Sequence, residues 1–138
     1  MKIVVSACLL GENCKYNGGN NYSEKVVQFV SGREVVPVCP ERLAGLGIPR
    51  TPIEIRVDRI ISRDGKDVTT VLNEAVRQIL AQLSAEDVEC VVLKSRSPTC
   101  GVKQIYDGTF TGTLVDGMGV LAKALTDAGY KVLDAEDM

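Results

Sequence analysis

The stretch Lys2-Ile3-Val4-Val5-Ser6-Ala7-Cys8 decides the fold of this chain, because it is an apolar β-like run that ends in a cysteine. Two further apolar runs have the same relation to a cysteine. Val35–Val38 leads into Cys39, and Cys90–Leu93 ends six residues before Cys100. In an open parallel sheet the carboxyl ends of the strands share one edge, where ligands bind. We therefore expect Cys8, Cys39 and Cys100 to meet at one site.

Helical patterns separate these runs and define the fold class. Apolar residues recur at helical spacing from Leu72 to Leu83, with Thr69 or Thr70 as the N-cap, and Ser23 is a candidate N-cap for a shorter helix. A third helical stripe ends before Gly129, and Tyr130–Leu133 follows as a last short strand. Strands that alternate with helices predict an α/β fold: one domain over residues 1–138, Rossmann-like, with a mainly parallel sheet and flanking helices.

Two segments do not follow the alternation of strands and helices. Ile53–Arg63 and Lys66–Thr69 flank Asp64-Gly65, which is a typical two-residue hairpin turn, so we expect a small β-hairpin insertion here. Residues 95–119 are polar and rich in glycine, with no helical period. This segment is too long for an ordinary connection, and such loops commonly carry function.

Composition restricts the possible functions. The 138 residues contain no histidine, which excludes a Ser-His-Asp triad, a Cys-His hydrolase and His-ligated zinc. A net charge of −2 argues against bulk nucleic-acid binding. No apolar run approaches the ~20 residues of a membrane span, and residues 1–10 show no secretory signal. We therefore expect a cytoplasmic protein, whose thiols stay reduced unless they bind metal or act in catalysis.

The five cysteines divide by their surroundings. No Cys-x-x-Cys pair occurs, so a zinc ribbon or a thioredoxin-type motif is poorly supported. Cys90 lies inside an apolar strand and is predicted to be a core residue. Cys14 lies in a polar loop within reach of Cys8, as a ligand, a sulfur-handling thiol or a bystander. Three thiolates without histidine suit a soft metal centre, either an iron–sulfur cluster or zinc.

Several sequence blocks resemble the DUF523 family and occur in order along nearly the whole chain. They are Ser6–Gly18, Pro37–Glu41 with Gly45-Leu46 and Pro49-Arg50, Leu93–Gly101, and Tyr106–Phe110. The family includes thiouracil desulfidases. The resemblance implies an enzyme that carries a [4Fe–4S] cluster on three cysteines and converts thiolated uracil compounds, such as 4-thiouridine monophosphate, to uracil products and sulfide.

The resemblance also implies roles for individual residues. The cluster ligands are expected to be Cys8, Cys39 and Cys100, and the catalytic residues Glu41 and Ser97. Ser95 is two residues from Ser97 and equally polar, so either serine can take the catalytic role. Thr99 stands where serine is common in the family. With three protein ligands, one iron stays open as a Lewis acid for the substrate sulfur, and no net electron transfer is needed.

Residues near the same blocks are candidates for holding the substrate, which is a small thiolated pyrimidine base or nucleotide. Lys94, Arg96 and Lys103 carry charges that suit a 5′-phosphate, unless they are solvated loop charges, and Ser95 is a further candidate for binding the substrate. Tyr16 is a candidate to stack on the pyrimidine ring, as is Tyr106.

Two rival functions are compatible with the residues alone. The first is a thiol-based redox or sulfur-transfer protein that uses Cys8 and Cys14. The second is a non-catalytic metal-binding module, in which Cys14 completes a four-ligand site.

Overall fold

The computed structural model describes residues 1–138 and contains eight strands and four α-helices. In chain order they are β1 (Lys2–Ser6), α1 (Glu24–Phe29), β2 (Glu34–Val38), α2 (Pro40–Leu43), β3 (Ile53–Arg56), β4 (Arg59–Ser62), α3 (Thr69–Leu83), β5 (Val88–Leu93), β6 (Gln104–Tyr106), β7 (Leu114–Asp116), α4 (Val120–Asp127) and β8 (Val132–Asp134). Two short 3₁₀ helices, Ala7–Leu10 and Ala135–Asp137, complete the fold.

A four-stranded parallel sheet forms the centre of the molecule, with strand order β2-β1-β5-β8. The central strand β1 is buried on both faces. Val4 packs with α3 and α4 on one side, whereas Ile3 and Val5 pack with Val26 of α1 on the other. Successive side chains of a strand point to opposite faces, so a strand covered on both sides reads as a continuous apolar run. The predicted α/β class and parallel sheet are confirmed.

Helix α3 provides the largest apolar stripe against the sheet. Its buried residues are Leu72, Ala75, Val76, Ile79 and Leu83, at the spacing that predicted the helix. No threonine caps it, and that prediction was wrong. The helix begins at Thr69, whose amide donates to the Asp67 carboxylate over 2.9 Å, while its hydroxyl accepts from the amide of Ile60. Ser23 does cap α1 as predicted, by accepting from the amide of Val26.

The hairpin insertion turns earlier than predicted. The run Ile53–Arg63 is two strands, β3 and β4, joined at Val57-Asp58, and Val57 has φ +60°. A second turn at Asp64-Gly65 is held by the Ser62 amide donating to the Lys66 carbonyl, and beyond it only the Ile61–Asp67 bridge continues the ladder. The turn between β3 and β4 contains no glycine that the sequence could have revealed. A valine, Val57, adopts the left-handed conformation there instead.

The polar segment after β5 contains a second hairpin, β6–β7, that was not predicted. It packs against β3, where the Glu54 carboxylate accepts from the amides of Gly108 and Phe110. Arg56 donates to the Gly108 carbonyl over 2.7 Å. The two hairpins thereby form one wall beyond the carboxyl edge of the sheet. No helix is long and apolar enough to cross a membrane.

Candidate active site at the carboxyl edge of the sheet

A cavity of about 470 Å³ lies where β1, β2 and β5 end. Cys8 follows β1, Cys39 and Glu41 follow β2, and Cys100 belongs to the segment that follows β5; all four line this cavity. The hairpins contribute Ile53, Glu54, Tyr106 and Phe110 to its wall. The predicted convergence of the three strand-end cysteines is therefore present in the structure.

Local backbone geometry places Cys8 and Cys39. Cys8 lies in the 3₁₀ turn directly after β1, and its carbonyl accepts from the amides of Gly11 and Asn21. Gly11 closes that turn with φ +95°, a conformation that favours glycine. Cys39 is the extended residue before α2, and Pro40 occupies the first helical position, where its fixed φ suits the helix and no amide is needed. Both cysteines are half-buried.

Ser97 organises the turn that carries Cys100. Its hydroxyl oxygen accepts from the amides of Thr99 and Cys100, each over 3.1 Å, and lies 3.0 Å from the Thr99 hydroxyl. Thr99 in turn donates to Oε2 of Glu41 over 3.3 Å. Either hydroxyl can donate in the contact between Ser97 and Thr99, and the Thr99 hydroxyl also lies 3.6 Å from the Cys100 sulfur, to which it can donate. A chain of hydroxyl groups therefore connects Ser97 to the Glu41 carboxylate.

Arg50 holds the other oxygen of Glu41, a contact that the sequence did not reveal. Its Nη2 donates to Oε1 of Glu41 over 3.4 Å and to the Cys14 carbonyl over 2.9 Å, while Nη1 donates to the Gly47 carbonyl. The Arg50 side chain is only 6% exposed, and its Nε has no partner. Arg50 and Thr99 thus each donate a hydrogen bond to one oxygen of the Glu41 carboxylate at the cavity wall.

Three cysteine thiols of the site are shielded from water. Burial raises the pKa of Cys8 and raises the pKa of Cys100 to about 12. The pKa of Cys14 is also raised to about 12, by burial first and then by the neighbouring Cys39 thiol. All five cysteines are free thiols. Binding a metal to such thiols requires their deprotonation and releases protons.

The two remaining cysteines behave differently from each other. Cys14 is buried, lines the cavity and lies near enough to Cys39 for that thiol to raise its pKa, so it lies within the same site. Cys90 packs in the core with Ile3 and Val5, as its apolar strand predicted.

The structure brings most of the predicted substrate-binding residues to the cavity. Lys94, Ser95, Arg96, Ser97 and Tyr16 all line it, and so does Tyr106.

Lys103 is the exception. It precedes β6, lies in a smaller adjoining cavity and pairs with Asp137 over 2.9 Å. Lys15 and Arg63 line the main cavity instead, and sequence reasoning gave neither a role.

The 2-thiouracil desulfurase family matches residues 3–137, and the chain belongs to this family. Protein YbbK of Bacillus subtilis (strain 168), described as uncharacterized, is 38% identical over an alignment of 146 positions, which covers 99% of this chain and 97% of YbbK. A solved structure of the [4Fe-4S]-dependent thiouracil desulfidase TudS, labelled DUF523, superposes with a TM-score of 0.92 at 31% identity, covering 99% of this chain and 92% of TudS. The resemblance to the DUF523 family is confirmed.

Proposed function

We propose that residues 1–138 form a single-domain desulfidase that removes sulfur from thiolated uracil compounds. The reaction replaces a C=S group by C=O: water supplies the oxygen, hydrosulfide leaves, one proton is released, and no electrons are exchanged with another molecule. One observation carries the proposal. Cys8, Cys39 and Cys100 line the same cavity as Glu41 in a member of the 2-thiouracil desulfurase family.

The cysteine set fits a [4Fe–4S] cluster better than a single metal ion. Zinc holds its thiolates at about 2.3 Å from one centre, and no three Cys, Asp or Glu side chains lie close enough together to share one ion. A cubane cluster accepts thiolates on different irons and so tolerates wider spacing. We assign Cys8, Cys39 and Cys100 as its ligands. When bound, the cluster supplies a Lewis-acidic iron with a free position for the substrate sulfur.

Glu41 is assigned as the base that activates water. Each carboxylate oxygen offers about two acceptor positions, and Thr99 and Arg50 take only one on each oxygen. The remaining positions can accept a proton from a water molecule directed at the carbon that carries sulfur. Because the two partners fix the orientation of the carboxylate, little rearrangement is needed before proton transfer.

The hydrogen bonds favour Ser97 over Ser95 as the second catalytic residue. Ser97 connects through Thr99 to Glu41 and so is placed to pass a proton toward the departing sulfur. Ser95 donates its hydroxyl to Glu136 over 3.0 Å and makes no hydrogen bond to Thr99 or Glu41. Lys94, Arg96 and Tyr16 remain candidates for contacts to the substrate, on the ground that they line the cavity.

The rival redox function is less well supported by the site. A nucleophilic cysteine needs a thiolate, which forms readily only when its pKa is lowered. Burial instead raises the pKa of both Cys8 and Cys14, the two residues that this function would use.

Replacing Glu41 with glutamine tests the proposed role of the carboxylate. Removing a general base lowers turnover by about 10²–10⁴-fold, so we expect a loss in this range for desulfuration of 4-thiouracil by the anaerobically reconstituted protein. Glu24→Gln removes an exposed carboxylate on α1 and is the matched control, with turnover unchanged. Full turnover by Glu41→Gln at wild-type iron content would exclude Glu41 as the base.

A further inference from the structure

Phe110 lies in the loop between β6 and β7 and has an unusual backbone conformation. Its φ is +58°, in the left-handed region, which is an outlier for a residue with a bulky side chain. The residue is half-buried and lines the main cavity. Strained residues of this kind persist where the surrounding structure enforces them, and they collect at ligand clamps. The Phe110 ring is therefore a candidate for contact with a molecule that occupies the cavity.

Hydrogen bonds from β3 hold the loop that carries Phe110. The Glu54 carboxylate accepts from the Phe110 amide over 3.2 Å and from the Gly108 amide over 3.0 Å. Gly108 packs so closely on β3 that a Cβ there would lie 2.8 Å from a carbonyl oxygen of that strand. Within the loop, the Asp107 carboxylate accepts from the amide and from the hydroxyl of Thr109. Because these contacts fix the backbone that leads into Phe110, little freedom is lost when a ligand binds to its ring.

Arg63, directly after β4, contacts the same ring. Its guanidinium carbon lies 5.7 Å from the centroid of the Phe110 ring, within the range of a cation–π contact, and the guanidinium pairs with no carboxylate. Arg63 also lines the main cavity. Residues from both hairpins therefore place a flat aromatic ring and a flat cation at the cavity wall. Aromatic rings and guanidinium planes are the groups on which proteins stack unpaired nucleobases.

We propose that the Phe110 ring stacks on the pyrimidine ring of the substrate and selects a flat, unsaturated base. Tyr16 also lines the cavity, but it is 40% exposed and its backbone is unstrained. Stacking discriminates by shape, because a planar pyrimidine lies flat on an aromatic ring whereas a puckered, saturated ring with the same carbonyl and imide groups does not. The inference rests on the proposed function only for the class of substrate.

Fluorine NMR tests the contact without requiring turnover. The chain has only two phenylalanines, Phe29 and Phe110, so protein labelled with 4-fluorophenylalanine gives two signals, which Phe29→Leu assigns. We expect uridine, which contains no sulfur, to shift the Phe110 signal of the anaerobically purified holoprotein and to leave the Phe29 signal unchanged. The saturated analogue 5,6-dihydrouridine is expected to shift neither signal at the same concentration.

Isothermal titration measures how much binding depends on the ring. We expect Phe110→Leu to weaken uridine binding about 5- to 100-fold, the range of base–aromatic stacking, whereas Phe110→Tyr keeps the ring and should bind uridine as the wild type does. Phe29→Leu is the matched control, because Phe29 is 42% exposed on α1, and its affinity should be unchanged. The wild-type preference for uridine over 5,6-dihydrouridine should disappear in Phe110→Leu.

The inference is overturned if uridine leaves the Phe110 signal in place, if Phe110→Leu binds uridine as tightly as the wild type, or if Tyr16→Leu loses the preference for uridine instead. A wild-type protein that binds neither nucleoside would also overturn it. A protein that binds uridine on Phe110 but releases no sulfide from 4-thiouracil would keep the stacking role and contradict the proposed reaction. Release of sulfide by Phe110→Leu at the wild-type KM would contradict the stacking role alone.

Discussion

Replacing Gly119 with alanine tests how closely the turn that carries Cys100 packs on the start of α4. Gly119 has φ −65°, which alanine adopts without strain, so the effect comes from the added Cβ alone. That atom would lie 2.6 Å from the Thr99 carbonyl oxygen and 2.7 Å from the Cys100 amide nitrogen. Both are backbone atoms, so no flexible side chain can move aside.

The magnitude follows from the size of the overlap. Ordinary contact begins at about 3.4 Å and the nearest atom, the Thr99 carbonyl carbon, would lie at 2.4 Å, so the Thr99–Cys100 backbone must shift by about 1.0 Å. Overpacking costs about 1–3 kcal/mol, and a rigid backbone clash belongs at the upper end, near 3 kcal/mol. For a chain of this length that loss lowers Tm by about 10 °C. The shift also displaces Cys100 and the Thr99 hydroxyl that holds Glu41, so iron content and desulfuration should fall with stability.

Thermal unfolding, followed by circular dichroism, and iron analysis after anaerobic reconstitution measure these effects. Gly117→Ala is the matched control, because its Cβ would meet only the flexible Ile105 side chain, at 3.2 and 3.3 Å. We expect the control to lose less than about 1 kcal/mol, in the range of a tolerated core substitution, and to bind iron normally. A Gly119→Ala protein with the Tm and iron content of Gly117→Ala would refute the account of this turn.

Two further predictions concern the residues that hold Glu41 and the start of α3. Arg50→Lys keeps the charge, but a lysine cannot reach the Cys14 carbonyl, the Gly47 carbonyl and Glu41 together. We expect kcat to fall about 10- to 100-fold because the base is misplaced, with KM and iron content nearly unchanged. An equal rise in KM would contradict a positioning role for Arg50. Hydrogen bonds from Thr69, aided by Arg59, hold the pKa of Asp67 at about 2, below its ordinary 3.8, so its contribution to stability is present at neutral pH and is lost as the pH falls toward 2. In urea unfolding, Asp67→Asn should have a lower free energy of unfolding than the wild type, by a constant amount from pH 6 to 8. This difference in stability should shrink below pH 4. A difference that is undiminished at pH 2 would contradict the proposed link between the lowered pKa of Asp67 and stability.

The parallel sheet and its cysteine-lined edge were predictable because each depends on short stretches of sequence. Residues 3–5 and 90–93 are continuous apolar runs, and burial on both faces of a parallel sheet requires this pattern. Once the strands are known to be parallel, their ends must lie at one edge. The positions of Cys8 and Cys39, each just after a strand, follow from that rule, whereas Cys100 also depends on the turn that Ser97 organises.

The parts that were missed depend on unusual local conformations or on distant contacts. The turn at Val57 requires φ +60° in a β-branched residue, which no residue preference would suggest. The hairpin β6–β7 consists of two three-residue strands, too short for a period to be recognised. Arg50 is important because it binds Glu41 and the backbone carbonyls of Cys14 and Gly47. Arg96 pairs with Glu136, which lies 40 residues away in the sequence.

The role of the three strand-end cysteines is tested most directly by iron and sulfide analysis of the anaerobically reconstituted protein. The [4Fe–4S] assignment predicts about four irons and four sulfides per chain, together with release of hydrosulfide from 4-thiouracil. Cys8→Ser, Cys39→Ser and Cys100→Ser should each lose most of the iron and all of the activity, whereas Cys90→Ser, at a core position, should keep the iron. A wild-type protein that takes up no iron, or a Cys100→Ser variant that binds as much iron as the wild type, would contradict the assignment.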